Sequence, residues 1–215
     1  MHKKTLRVFM VLMLFFIICS ACESQQKHKN LLFDQLNKIT KMEKKFEKAG
    51  EHIQELEIKE LESYEKIFSF KISDVAKRQE TAKNAVNLLK ERRGRIENES
   101  KLIHDIDIKI EELQTINIET KDEEFRDQVN QFVQTWKKRT GLYDQLNKKY
   151  KEAIEIDLRI YNLLSQKKVD LKNVKSMTKN TNTVYKDVIK LNDKLNLYTQ
   201  KLNNERKVLY EKYGK

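Results

Sequence analysis

Apolar residues recur at spacings of three and four along nearly the whole chain, in four long blocks separated by short breaks. From about Lys29 to Lys66, Leu32, Leu36, Ile39, Phe46, Ile53, Leu56 and Tyr64 fall near one stripe, the mark of an amphipathic helix. Ile67 to Ser73 (IFSFKIS) loses that period and gains β-branched and aromatic residues, which predicts a turn. Ser73 and Asp74 each offer a side-chain oxygen to the free backbone N–H groups of a second helix. That helix reaches about Ile116 and carries Val75, Ala82, Val86, Leu89, Ile96, Ile103, Ile106, Ile110 and Leu113. Asn117 to Thr120 interrupts it, and Thr120 with Glu123 has the spacing of a capping box opening a third helix to about Gln166. Its seam is Phe125, Val129, Phe132, Trp136, Tyr143, Leu146, Tyr150, Ala153, Ile160 and Leu164, with polar Arg139 and Asp157 on the same line. Arg139 and Asp157 are too far apart on one helix to meet, so each is expected to pair separately with a neighbouring helix. Asp170 caps a fourth helix with the most regular stripe: Val174, Met177, Thr181, Val184, Val188, Leu191, Leu195, Tyr198, Leu202 and Leu209.

A stripe repeating every 3.5 residues packs against partners at a small crossing angle. Four helices of about 40 residues make a rod roughly 60 Å long. Similar lengths and short connections favour antiparallel neighbours, so the expected fold is all-α, an elongated up-and-down four-helix bundle over residues 31–215. The alternative is a three-helix, spectrin-like bundle with an extended helix.

The first 22 residues follow a different pattern. His2, Lys3, Lys4 and Arg7 form a basic start, and Val8 to Ile18 is an unbroken apolar run of 11 residues. This is the layout of an export signal, and the run falls short of the about 20 residues a membrane-spanning helix needs. Ser20 and Ala21 before Cys22 resemble a bacterial lipobox, in which residues 1–21 are cleaved and Cys22 is acylated; Cys19 stands where a leucine-like residue is usual. Residues 22–30 then form a polar, lipid-anchored tether. Its eight residues after Cys22 reach at most about 28 Å. The expected location is the cell membrane, on its extracytoplasmic face.

Composition supports the helical reading: the chain has no proline, four glycines and 36% charged residues. Both cysteines, Cys19 and Cys22, lie in the signal stretch, so no internal disulfide holds the fold. The precursor's net charge of +11 falls to +8 without Lys3, Lys4 and Arg7. For an exported chain the polyanions at hand are lipid headgroups and wall polymers rather than nucleic acid.

Tyr64-Glu65-Lys66-Ile67, Tyr150 to Asp157 (YKEAIEID), Tyr185 to Leu191 (YKDVIKL) and Glu205 to Tyr213 resemble, in their order along the chain, the YkyA-like family of cell-wall-binding lipoproteins of Gram-positive bacteria. The resemblance covers nearly the whole mature chain. It implies a surface lipoprotein with a helical-bundle fold and a wall-binding role, and it supplies no catalytic residues.

Candidate chemistry is sparse. No nucleophile elbow, P-loop or dinucleotide fingerprint occurs, and no cofactor or enzymatic activity is expected. His52 and His104 each precede an acid by three residues, Glu55 and Asp107. A helical di-metal site needs further inward glutamates, and Ala49 and Lys101 occupy those positions, so no metal is expected. Charge is more informative: residues 171–215 hold eleven Lys and Arg against four Asp and Glu. Lys172, Lys179, Lys186 and Lys207 share the heptad position opposite the core. Two readings of them stand: a solvated face, or a ladder that binds a polyanion such as teichoic acid or peptidoglycan. Helix parity puts the turns at 67–73 and 165–170 at the end distal to the lipid. There Phe68, Phe70 and Lys71 meet Lys167, Lys168 and Lys172, either to cap the core or to form a docking tip. An envelope protein is the alternative partner.

Overall fold

The computed structural model describes the backbone of residues 2–71 and 73–214 and the side chains from Gln26 onward, Ile72 and Lys215 excepted. The signal stretch, Cys19 and Cys22 therefore lie outside the described side chains. Four helices follow in order: α1 (His2–Ser69), α2 (Val75–Ile118), α3 (Glu123–Leu164) and α4 (Leu171–Tyr213). This is the all-α four-helix bundle that the stripes predict. α1 packs on α2, α2 on α3 and α3 on α4, the sequential antiparallel order.

Both ends are tied by specific contacts. Distally, Arg78 at the start of α2 donates to the carbonyls of Leu164, Gln166 and Lys167 in the α3–α4 turn, at 3.0–3.2 Å. Proximally, Lys29 Nζ donates to Asp122 at 2.8 Å, His28 pairs with Glu119 at 2.9 Å, and Lys212 pairs with Glu124. α1 at His28 to Phe33 therefore meets the α2–α3 turn and, through Phe33 against Tyr210, the end of α4, as an even number of antiparallel helices requires.

Three local details differ from the sequence reading. α1 runs through Ser69 with Ile67 only 3% exposed, so the first turn is shorter than Ile67 to Ser73. Burial of Ile67 in the distal core rewards one more helical turn than its β-branched neighbourhood predicts. Asp74 is the N-cap of α2 yet makes no capping bond; its carboxylate instead accepts from the Lys71 N–H at 3.3 Å. α3 begins at Glu123, so Glu123 is its first residue and cannot reach back as the third residue of a capping box does. Asp122 takes the cap, accepting from Phe125 N at 3.1 Å. Asp170 caps α4 as expected, accepting from Asn173 N at 3.0 Å.

The seam residues build two apolar cores, one behind the other along the rod. The proximal core contains Leu32, Leu36, Ile39, Ile103, Ile106, Ile110, Phe125, Phe132 and Trp136. The distal core contains Ile53, Ile67, Ala82, Leu89, Ile154, Ile160, Leu164 and Val174. Polar side chains occupy the level between them.

Candidate functional site

α1 and α4 face each other across the open side of the bundle. Among the described residues their direct hydrogen bonds are both proximal: Arg206 to Glu43, and Tyr210 to Asn37 at 2.8 Å. Further along, a groove separates them, and its lining changes character with position.

At the distal end the groove encloses about 1100 Å³ between Tyr64 and Phe68 of α1 and Leu171, Lys172, Lys175, Lys179, Lys186 and Ile189 of α4. No acidic side chain lines it. The Tyr64 and Phe68 rings meet at 4.8 Å, tilted by 48°, and Phe68, Leu171 and Ile189 remain half-exposed or more. Lys172, Lys175, Lys179 and Lys186 are exposed, and among the described residues none makes an ion pair. The structure thus brings Lys172, Lys179 and Lys186 together with Phe68. It adds Lys175, which the heptad position of the other three leaves out.

The remaining candidates are placed elsewhere. Lys167 and Lys168 are exposed in the α3–α4 turn, and Phe70 and Lys71 sit in the α1–α2 turn, with Phe70 partly buried. Lys207 lies near the opposite end of α4, 3.7 Å from Glu211, and does not reach the groove. His52 and His104 are exposed beside Glu55 and Asp107, and no group of three or more potential metal ligands occurs among the described residues.

Beneath the groove lies a buried charge network absent from the sequence reading. Arg92 of α2, 1% exposed, donates to Glu60 at 3.2 Å and to the Tyr185 hydroxyl at 2.9 Å. It also lies 3.8 Å from Glu57 and 4.0 Å from Asp157. Tyr185 donates to Asp157 at 2.7 Å, Thr181 to the same carboxylate at 3.0 Å, and the Tyr150 ring faces the guanidinium at 5.3 Å. Burial alone would lower the Arg92 pKa, but the surrounding tyrosine oxygens, Glu60 and Glu57 raise it. Asp157 is pushed up to about 6, by burial first and then by Glu60, against the opposing bonds from Tyr185 and Thr181 and the Arg92 charge. Arg139 is separate: it donates to Thr199 at 2.9 Å and faces the Phe46 and Trp136 rings. Arg139 and Asp157 therefore pair independently, as their spacing requires.

Between the two levels, the groove opens into a cavity of about 460 Å³ lined by Glu57, Glu99, Tyr143, Asn147, Tyr150 and Tyr185 over an apolar floor. Tyr143 donates to Glu99 at 2.9 Å.

Comparison with known proteins agrees with this architecture. The crystal structure of a conserved protein of unknown function from Staphylococcus aureus superposes with a TM-score of 0.76 over 86% of this chain and 93% of that one, at 21% identity, which establishes a shared fold. The uncharacterized lipoprotein YkyA of Bacillus subtilis (strain 168) is 23% identical over 198 residues, 92% of this chain and 88% of its own. The YkyA family, described as "Putative cell-wall binding lipoprotein", matches residues 27–212. That span takes in α1 from residue 27 onward, α2, α3, α4 as far as residue 212, both turns of the distal end and the lysines of the groove, and the chain belongs to the YkyA family.

Proposed function

We propose that this protein is a non-enzymatic lipoprotein, anchored through acylated Cys22 on the extracytoplasmic face of the membrane, whose bundle binds an anionic wall polymer. The observation that carries this reading is the distal groove: four lysines that make no ion pair among the described residues converge on an apolar and aromatic wall that holds no carboxylate. Cations of one sign around a groove with apolar walls focus their field on the space between them, which favours a polyanion there. Phe68, Tyr64 and Leu171 would pack against the uncharged parts of such a polymer. Lys167, Lys168 and Lys71 extend the same positive field around the distal turns. The family description, naming a lipoprotein and wall binding, supports the same reading. The location follows from it: with Cys22 at the proximal end, the groove points away from the bilayer.

The test is sedimentation of the full-length protein, held in non-ionic detergent, with purified wall. Binding is expected to weaken steeply as salt rises, because exposed charges are screened within about 10 Å at 0.1 M. Lys172→Glu/Lys179→Glu/Lys186→Glu together are expected to abolish it. Binding indifferent to both salt and charge reversal would overturn the reading. It would favour instead a scaffold that docks an envelope protein, for which exposed Ile189 and Leu197 on α4 offer apolar contacts.

A further inference from the structure

The middle cavity of the groove has chemistry opposite to that of its distal part. Two carboxylates, Glu57 and Glu99, line it, and no lysine, arginine or histidine does. Glu99 has a tyrosine hydroxyl as its hydrogen-bond partner, and burial raises its pKa, with the Tyr143 bond and the Arg139 charge opposing only in part. Asn147 also lines the cavity at 8% exposure, and its Oδ1 accepts no hydrogen bond. Such an orphaned buried acceptor is costly unless something donates to it. The rings of Tyr143, Tyr150 and Tyr185 border the same space, and aromatic faces attract cations. The cavity falls where the proximal and distal cores part, between Ile96 and Ile103 on α2 and between Tyr143 and Ile154 on α3. Its 460 Å³ is within the about 300–1,000 Å³ of small-molecule sites.

We propose that this cavity binds an organic ammonium group carried by a larger ligand, with Glu99 as counter-ion and Asn147 Oδ1 as hydrogen-bond acceptor. An ammonium supplies a positive charge, which no lining residue carries, and donors for Glu99 and Asn147 Oδ1. Gly50 forms part of the lining, and a Cβ there would meet Glu99 Oε1 at 3.3 Å, so a side chain at position 50 would crowd the counter-ion. The cavity and the lysine-lined part of the groove share Tyr185 and Ile189. A ligand bearing both anionic and ammonium groups would therefore span the two. That extension rests on the polyanion reading, whereas the ammonium site itself does not.

Calorimetric titration of the full-length protein in non-ionic detergent tests the site with two ammonium sources: alanine methyl ester, an amino ester, and Nα-acetyl-lysine methylamide, a peptide side-chain amine. The neutral controls are methyl propionate and Nα-acetyl-norleucine methylamide, and N-acetylglucosamine probes a saccharide site. At least one ammonium probe is expected to bind while its neutral partner does not, and which one binds identifies the source. Glu99→Gln, isosteric and still able to accept from Tyr143, is expected to weaken that binding at least tenfold with an unchanged circular dichroism melt. Gly50→Ala is expected to weaken it severalfold. Lys172→Glu/Lys179→Glu is expected to leave it within twofold, which separates this site from the polymer-binding groove. Absence of ammonium binding, equal binding of the neutral partners, binding of the sugar alone, or indifference to Glu99→Gln would each overturn the proposal.

Discussion

Arg92 Nη1 lies 3.2 Å from Glu60 Oε2, a contact that joins α2 to α1 while the other guanidinium nitrogen reaches Tyr185 of α4. One side chain thus links three helices at a point where apolar packing gives way. A buried ion pair of this kind adds little over a well-packed apolar substitute, but removing one partner leaves the other charged and unsolvated. Arg92→Leu removes the cation and leaves Glu60, Glu57 and Asp157 facing each other. It is expected to destabilise the fold by about 3–5 kcal/mol in urea unfolding. A double change that also makes Glu60 apolar should recover much of that loss.

Asp157 gives the network a pH signature. Its folded pKa of about 6 stands above the ordinary 3.8, so the folded state binds its proton more tightly than the unfolded state. The groups facing it are Glu60 from α1, Arg92 from α2 and Thr181 and Tyr185 from α4. The resulting stabilisation is fully present below 3.8 and is lost as pH rises through about 6. At 1.36 kcal/mol per pKa unit this is about 2–3 kcal/mol. Asp157→Asn is neutral throughout and is expected to remove that component. Wild type is expected to lose stability relative to the variant as pH rises from 4 to 7, measured by urea unfolding at fixed ionic strength. Parallel curves would refute the assignment.

Where the sequence was informative and where it fell silent follows from what periodicity measures. Leu36, Ile39, Ile103, Phe132, Trp136, Leu195 and Leu202 are buried because an apolar stripe at 3.5-residue spacing can only face a partner. The same test picked out Arg139 and Asp157 as polar residues on the third seam. Applied evenly it would have found more: Arg92 stands three after Leu89 and four before Ile96, and Glu99 three after Ile96 and four before Ile103. Glu60 lies midway between Leu56 and Tyr64, and Asn147 four after Tyr143. Polar residues on the seams of three helices, at two neighbouring levels of an antiparallel bundle, mark the charge network and the cavity. Lys207 shows the reverse limit. A heptad position specifies an angle around the helix and not a height along the groove, so it was grouped with lysines it never meets.

The proximal end depends on Asp122, which caps α3 through Phe125 N and accepts from Lys29 of α1. The Lys29 bond, first among the causes, and the backbone bond from Phe125 hold its carboxyl below the usual range. Asp122→Ala is expected to cost about 1–2 kcal/mol in urea unfolding, the range for losing an N-cap. It should also speed amide exchange at residues 26–30 and the first turn of α3, with the distal turn unchanged. Asp122→Asn keeps a capping oxygen and loses the charge, so most of the stability should return while exchange at 26–30 stays fast. Identical behaviour of the two variants would mean that the Lys29 contact plays no part in holding the start of α1.

Lys179 and Lys207 separate a groove from a continuous ladder. Both are exposed lysines at the same heptad position of α4, so a ladder running the length of the helix would use them alike. Only Lys179 lines the distal groove, beside Lys172, Lys175 and Lys186, whereas Lys207 faces Glu211 near the other end. Single reversals change net charge equally, which cancels nonspecific attraction between the two variants. Lys179→Glu is expected to weaken wall binding about tenfold at 0.1 M salt, which corresponds to about 1.4 kcal/mol, and to flatten the salt dependence. Lys207→Glu should stay within about twofold of wild type, the order of an exposed rim charge. Equal losses would show that the polymer follows net charge along α4, and the groove would then have no special role. A larger loss at Lys207 would move the binding face to the proximal end of the bundle.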